Sequence, residues 1–195
     1  MEQGITTSVF EIFKPGPGPS SSHTIGPMRA AADFLERLCA LDPAAAARAA
    51  RFELGFYGSL AATGKGHGSD RAAVAGLLGE KPESCDIDLL RRVLTPECPA
   101  VTVSFAGREL AFEAGNILWC SGDHAYPFQN TMRFRLLDGD GRELLAQVYY
   151  STGGGFIRRE GEPEPERRIL PYRYRNMDSF KLLSMKYNLP PVAML

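Results

Sequence analysis

The sequence predicts an α+β fold in which a mixed, largely antiparallel sheet packs against helices that come mainly from the first half of the chain. Two observations support this prediction. Between residues 27 and 40, apolar side chains recur every three or four positions, as on one face of a helix. After residue 100, three segments instead alternate apolar and polar side chains, as strands do. The length of 195 residues suits one such domain, which we expect to end near residue 160.

The first predicted elements are two helices and a strand. Residues 14–22 (KPGPGPSSS) are predicted to be a loop, because alternating proline and glycine exclude a helix or a central strand. Pro27 suits the first turn of a helix over about 27–40. An alanine-rich stretch at 44–50 predicts a second, short helix. The alternating apolar residues at 52–56 then indicate a strand.

A glycine-rich loop and another helix are predicted next. Four glycines within residues 58–68 favour a loop at the end of the strand. Ser69 is expected to cap a helix that carries Ala73 and Leu77 and stops at Gly79. The local order is therefore strand, glycine loop, helix.

Strands dominate the predicted second half. Alternating patterns predict strands around 101–105, 132–136 and 146–150. The sequence DGDG at 138–141 predicts a hairpin turn between the last two. Three glycines at 153–155 mark a second place where the backbone bends or approaches another group closely.

Composition excludes several classes of function. The chain has 22 Lys and Arg against 23 Asp and Glu, so no broad basic surface is expected for nucleic acid or a membrane. No apolar run approaches the roughly 20 residues of a membrane span, and the first residues do not look like a secretory signal. We therefore expect a cytoplasmic protein. Its four cysteines have no metal-binding spacing and are interpreted as buried, reduced thiols.

The C-terminal segment differs in composition from the rest. Residues 160–166 (EGEPEPE) predict a polar linker broken by prolines, and 179–187 predict a helix. The chain then ends on apolar residues, which favours a truncated protein. We therefore expect one domain at 1–160, followed at 161–195 by a linker and the start of a truncated catalytic domain.

The strongest candidate site is the run Ser20, Ser21, Ser22, His23 and Thr24, just before a predicted helix. Free backbone N–H groups and the helix dipole favour a carboxylate or phosphate there, and hydroxyls complete the hydrogen bonding. The same field favours a neutral His23 that is able to accept a proton. An equally weighted alternative is a helix-capping loop in which the hydroxyls bind local backbone and His23 is incidental.

A second candidate site is GSLAATGKGHGSD at 58–70. It does not fit a nucleotide-binding P-loop, because the glycine spacing is one residue too long and Gly66 replaces the magnesium-binding hydroxyl. What remains is a loop that presents Thr63, Lys65 and His67 to a ligand. The alternative is a solvated turn with an incidental lysine and histidine.

The chain has three histidines, and two of them open predicted helices. We expect His23 and His67 to share one site, with imidazoles no more than about 12 Å apart, since catalytic contacts need short reach. The third, His124, lies in a polar segment at 123–132. That segment is expected either to close a pocket or to be a plain loop.

At these motifs the sequence resembles the iron–sulfur-dependent L-serine dehydratases, also called L-serine ammonia-lyases. The resemblance covers about residues 5–160 and looks like their β-chain or N-terminal domain. It rests on SVFEIF at 8–13, GPSSSHTIGPMR at 18–29, GSLAATGKGHGSD at 58–70, NTM at 130–132 and GGGF at 153–156. Ser69 stands where the family pattern leads us to expect threonine, a change that keeps the hydroxyl.

The resemblance implies a larger enzyme than this chain contains. Relatives hold a four-iron four-sulfur cluster on a separate C-terminal catalytic domain. None of the four cysteines here matches those ligands, so no metal site is expected in this chain. The family reaction converts L-serine to pyruvate and ammonia without pyridoxal phosphate. The implied partners are L-serine, the protein's own C-terminal domain and a second copy in a homodimer, and the fragment alone is expected to be inactive.

The resemblance also implies roles for individual residues. His67 and His23 are the acid/base candidates, with His67 as the base. The implied substrate-binding residues are Ser20, Ser21, Ser22, Thr24, Thr63, Lys65 and Asn130. The domain also resembles the allosteric serine-binding module of some phosphoglycerate dehydrogenases. A non-catalytic amino-acid sensor is therefore the alternative function.

Overall fold

The computed structural model describes residues 14–163 and 172–194. The chain forms two compact units: Lys14–Glu162 is the larger, and the described residues beyond it belong to the smaller. The motif at 8–13 and the end of the predicted linker, 164–166, lie outside the described residues. The assignment of 161–195 to a linker and a truncated catalytic domain stays a prediction.

The larger unit combines short helices with seven strands over its described residues. Its helices are α1 (Gly26–Cys39), α2 (Pro43–Ala47), α3 (Ser59–Thr63), α4 (Ser69–Leu77) and α5 (Ile87–Arg92). Its strands are β1 (Ala49–Gly58), β2 (Ala100–Phe105), β3 (Arg108–Glu113), β4 (Ile117–Cys120), β5 (Asn130–Asp138), β6 (Glu143–Gly153) and β7 (Phe156–Arg159). Two single turns matter below: the serine turn, Ser21–Ile25, and the glycine turn, Gly64–His67. The smaller unit contains α6 (Met177–Tyr187).

The five-stranded sheet has the order β4-β1-β5-β6-β7. The β1–β4 pair is parallel and the other three pairs are antiparallel, while β2 and β3 form a separate hairpin. This confirms the predicted α+β class with a mixed, largely antiparallel sheet. The five α-helices of the larger unit all precede residue 93, so they come from the first half of the 195-residue chain, as predicted.

Helix α1 packs its apolar face on the sheet. Phe34 and Leu38 are fully buried, and the Phe34 ring lies 5.2 Å from the ring of Phe134 on β5. On another side α1 contacts α4 so closely that a Cβ atom at Gly76 would lie 2.2 Å from the carbonyl oxygen of Met28. Only glycine fits this contact without backbone movement. The contact holds α1 and α4 together, and each of these helices is preceded by one of the two turns.

Several predictions about the glycine- and serine-rich segments are wrong in detail. Ser21 and Ser22 are helical, because the serine turn begins before the predicted end of the loop. The predicted loop at 58–68 folds as α3 followed by the glycine turn. Ser69 is the first residue of α4 and does not cap it; Gly68, with φ +67°, takes the cap position. A left-handed backbone favours glycine there.

The remaining differences concern short elements and the cysteines. Helix α2 ends at Ala47, because Ala49 already belongs to β1. Helix α5 and strands β3, β4 and β7 have no counterpart in the sequence prediction. The cysteines are less buried than expected: Cys39 is exposed, whereas Cys85, Cys98 and Cys120 are half-buried, and all four are free thiols.

Candidate active site

The serine turn and the glycine turn bring two histidines together. The ring centroids of His23 and His67 are 4.9 Å apart, so the two residues share one site, as the sequence predicts. Two hydrogen bonds join the turns in a reciprocal way. The Thr24 hydroxyl donates to the His67 carbonyl at 3.1 Å, and the Ser69 hydroxyl donates to the His23 carbonyl at 2.5 Å. Both bonds end on the backbone carbonyl of a histidine. They therefore hold the backbone of His23 and of His67 in place.

His23 is buried, with only 9% of its surface exposed. Its Nδ1 lies 2.9 Å from the Ser22 hydroxyl and its Nε2 lies 3.2 Å from the Ser59 hydroxyl, and a hydroxyl can serve either tautomer of the ring. Burial lowers the pKa of His23, a hydrogen bond at Ser59 partly opposes this, and the nearby His67 lowers the pKa further. His23 is therefore a neutral imidazole at neutral pH.

His67 has a different arrangement, because one of its nitrogens is engaged by the backbone. Its Nδ1 lies 2.9 Å from the carbonyl oxygen of Thr63, and a carbonyl only accepts hydrogen bonds. Nδ1 therefore carries the proton, and Nε2 of the neutral ring keeps a lone pair. The ring is half-buried. A fixed tautomer with an unprotonated Nε2 is the form that a general base requires.

The serine turn places its other predicted residues around His23. The Ser20 hydroxyl caps the turn by accepting from the His23 backbone N–H at 3.2 Å, and it lies 3.4 Å from the Ser22 hydroxyl. Ser21 is exposed, whereas Thr24 is buried with its proton donated to His67. The capping alternative is thus correct for Ser20. It does not exclude ligand contacts by Ser21 and Ser22.

The remaining predicted residues, Thr63, Lys65 and Asn130, contact other parts of the larger unit. The Thr63 hydroxyl donates to the Ser59 carbonyl at 2.9 Å. The Lys65 ammonium lies 5.4 Å from the centre of the Trp119 ring, at cation–π distance. Asn130 pairs in register with Gly58 at the end of β1, and its side-chain oxygen is buried. Their roles in substrate binding stay predictions.

Sequence reasoning missed Ser59 and left His124 open. Ser59 follows β1 directly, donates its backbone N–H to the Gln129 carbonyl at 2.8 Å and contacts His23 through its hydroxyl. A Cβ atom on Gly58 would lie 2.7 Å from Nε2 of His124, so the third histidine lies against the same strand end. The hydroxyl of Ser59 within the 58–70 motif was the available signal.

A cavity of about 270 Å³ opens beside His67. It is lined by Pro17, Gly18, Pro19, Thr24, Gly66, His67, Gly68, Arg71, Ile87, Leu90 and Arg91. Neither His23 nor Ser59 lines it, so the cavity extends the site on the His67 side. Arg71 was not singled out by sequence reasoning, because a lone arginine on a helix carries no motif.

Residues 14–163 and 172–194 contain no group of three or more His, Cys, Asp or Glu side chains that could hold a metal ion. In the same residues, no helix has both the length and the apolar character needed to cross a membrane.

Comparison with known proteins adds family information to this geometry. A family model described as "Serine dehydratase beta chain" matches residues 8–162. The chain is 36% identical to an L-serine dehydratase of Streptomyces coelicolor, covering 96% of this chain and 42% of that protein. It is 35% identical to an L-serine dehydratase of Haemophilus influenzae, at 88% and 38% coverage, and 37% identical to L-serine dehydratase 2 of Escherichia coli, at 86% and 37%. The chain therefore spans about two fifths of the length of these relatives.

Proposed function

Since the chain belongs to the serine dehydratase beta-chain family, we propose that it is part of an L-serine dehydratase and that its histidine pair takes part in the deamination of L-serine. The observation that carries this proposal is the fixed tautomer of His67 beside a neutral His23. The L-serine dehydratases to which it is similar supply the substrate class.

In the proposed reaction, Nε2 of His67 removes the α-proton of L-serine. The resulting imidazolium keeps its Nδ1–H bonded to the Thr63 carbonyl, which stabilises the positive charge. The β-hydroxyl takes up the proton that His67 removed and leaves as water, and the aminoacrylate that remains is hydrolysed to pyruvate and ammonia. No net proton stays on the protein once His67 has released the proton it took.

The state of His23 supports His67 as the base. A charged ring 4.9 Å away would oppose protonation of His67, and the lowered pKa of His23 keeps that ring neutral. His23 is also a weaker base than an unburied histidine, because burial disfavours its charged form. We assign His23 to holding the Ser22 and Ser59 hydroxyls in the orientation that the substrate needs.

An iron–sulfur cluster does not fit residues 14–163 and 172–194, which include all four cysteines. The four cysteines are separate free thiols, and the part of the chain that the structure describes has no ligand cluster around them. We propose that any such cluster is held by a separate catalytic domain of the complete enzyme. The steps assigned above use only residues of this chain.

The test is His67→Ala in the active enzyme, assembled with its remaining domain or subunit. We expect turnover to fall by about 100-fold or more, the usual scale of general-base catalysis, with serine binding largely kept. His23→Ala is expected to raise the Michaelis constant as well as to lower turnover. Both variants are first checked for a native circular dichroism spectrum and cooperative unfolding.

The same experiment separates the enzyme from an amino-acid sensor. In a sensor, His67→Ala changes the serine concentration that gives half-maximal response, with the maximal rate nearly unchanged, because a regulatory ligand acts through coupling alone. Wild-type maximal rates in both histidine variants would remove this domain from the chemistry.

A further inference from the structure

The cavity beside His67 has a basic lining with no acidic side chain in it. Arg71 and Arg91 are its two charged residues. Arg91 forms an ion pair with Asp88 at 3.2 Å, and its side chain is 74% exposed. Arg71 is half-buried, and its guanidinium forms no ion pair with any residue in 14–163 or 172–194. The cavity therefore presents one partly desolvated positive charge that no described side chain balances.

The predicted carboxylate contacts in the serine turn supply no such charge. Their hydroxyls are neutral, and that of Thr24 already donates to the His67 carbonyl. A guanidinium presents parallel N–H donors that match the two oxygens of a carboxylate, and the charge strengthens each bond. Arg71 is thus the better carboxylate partner.

The size and the position of the cavity fit a small amino acid. A volume of about 270 Å³ leaves room for a molecule of several heavy atoms. An added Cβ on Gly66 would meet nothing within 4 Å, so the wall next to His67 is open. Arg71 and His67 both line this cavity, so a ligand whose carboxylate rests on Arg71 lies in the same cavity as the imidazole.

We propose that this cavity binds the carboxylate of the amino-acid substrate and that Arg71 is the residue that holds it. The assignment rests on the proposed dehydratase function. It makes a free α-carboxylate the feature that this chain recognises.

The test uses binding to the 195-residue chain, since the cavity lies wholly within Lys14–Glu162. Imidazole NMR signals of His67 are followed while L-serine is added, and then while L-serinamide is added, in which a neutral amide replaces the carboxylate. We expect saturable shifts with L-serine and binding at least about 10-fold weaker with L-serinamide, the scale of a lost charge-assisted bond.

Substitutions assign the effect to Arg71. Arg71→Gln is expected to weaken L-serine binding by about 10-fold or more, and Arg71→Lys by less, because lysine keeps the charge without the paired donors. Arg92→Gln is the matched control, since Arg92 is an exposed arginine of α5 that does not line the cavity. We expect it to bind as the wild type does.

Three outcomes would overturn the assignment: equal binding of L-serine and L-serinamide, unchanged L-serine affinity in Arg71→Gln, or no response of His67 to L-serine in the wild type. Turnover measurements distinguish failure of the Arg71 assignment from failure of the proposed function. If His67→Ala abolishes turnover in the assembled enzyme while Arg71→Gln leaves the Michaelis constant unchanged, only the carboxylate assignment is lost. If His67→Ala leaves turnover unchanged, the dehydratase role itself is lost.

Discussion

Two histidine regions meet at the end of β1, and they differ in how their polar atoms are satisfied. Around His23 and His67, both ring nitrogens of one and Nδ1 of the other have hydrogen-bond partners, and two further bonds join the backbones. Around His124 and Asn130, the histidine Nδ1 and the asparagine side-chain oxygen are buried and have no partner among the residues that the structure describes.

The difference shows which of the two regions is preorganised by hydrogen bonds. Unmet buried polar atoms are unfavourable, whereas a satisfied network holds its members in one geometry. The His23–His67 pair therefore has its geometry set by this chain alone. The His124 region instead packs mainly through aromatic contacts: the Tyr57 ring lies 6.2 Å from His124 and 4.9 Å from Tyr126. Burial raises the pKa of Tyr57, so its hydroxyl stays protonated in that cluster.

The largest expected effect comes from Gly58→Ala, which breaks the junction between the two regions. Gly58 has φ +59°, and its added Cβ would lie 2.4 Å from the Gln129 carbonyl and 2.7 Å from His124 Nε2. Left-handed strain and overpacking together predict a loss of about 2–4 kcal/mol in the free energy of unfolding. Urea denaturation measures it.

Gly107→Ala is the matched control for this prediction. Gly107 has φ +74°, but an added Cβ there meets nothing within 4 Å. It therefore carries the backbone strain without the collision. Equal losses in the two variants would show that the contact with His124 and Gln129 is not tight.

A smaller loss is expected from Ser69→Ala, which removes one of the two bonds between the turns. Ser69 is fully buried, and its loss leaves the His23 carbonyl without this donor. A buried group that loses its partner costs about 1–3 kcal/mol in the free energy of unfolding. Ser104→Ala, at an exposed position on β2, is expected to change it by less than about 0.5 kcal/mol. If both serine variants unfold at the wild-type urea concentration, the reciprocal bonds do not hold the site.

The elements that can be predicted from the sequence are the longer ones. The long elements α1, β5 and β6 were predictable, because each has enough residues for its apolar periodicity to be visible. Strand β4 has four residues and pairs in parallel with β1, which lies far away in sequence, so local pattern carries little information about it.

The candidate site was predictable in its residues more than in its backbone. Serine and glycine runs suggested loops at both turns, yet the segments are helical because tertiary bonds such as Ser69 to His23 hold them. Composition favours capping for Ser69, and only the partner 46 residues away reveals its different role. The pairing of His23 with His67 was predictable, because both precede helices.

The pH dependence of unfolding tests the buried state of His23. The pKa of His23 is lowered in the folded protein, so the unfolded chain binds the proton more tightly. The stability contributed by neutral His23 is therefore fully present above the unfolded pKa of about 6.5 and is lost as the pH falls toward the folded value. In His23→Gln this part of the pH dependence should vanish. NMR titration of the His23 ring checks the direction independently, and a midpoint above 6.5 would contradict it.

The smallest expected effect separates the two regions most sharply. His124→Phe keeps an aromatic ring beside Tyr57 and Tyr126 and removes a buried Nδ1 that has no described partner. Because no hydrogen bond among the described residues is lost, we expect the free energy of unfolding to change by less than about 0.5 kcal/mol. His23→Phe, the same substitution in the satisfied region, leaves the Ser22 and Ser59 hydroxyls without the ring and should cost about 1–3 kcal/mol. Urea denaturation of both variants at pH 7.5 decides the comparison. If His124→Phe lowers the free energy of unfolding as much as His23→Phe does, the His124 nitrogens have hydrogen-bond partners in solution. Both regions would then be preorganised.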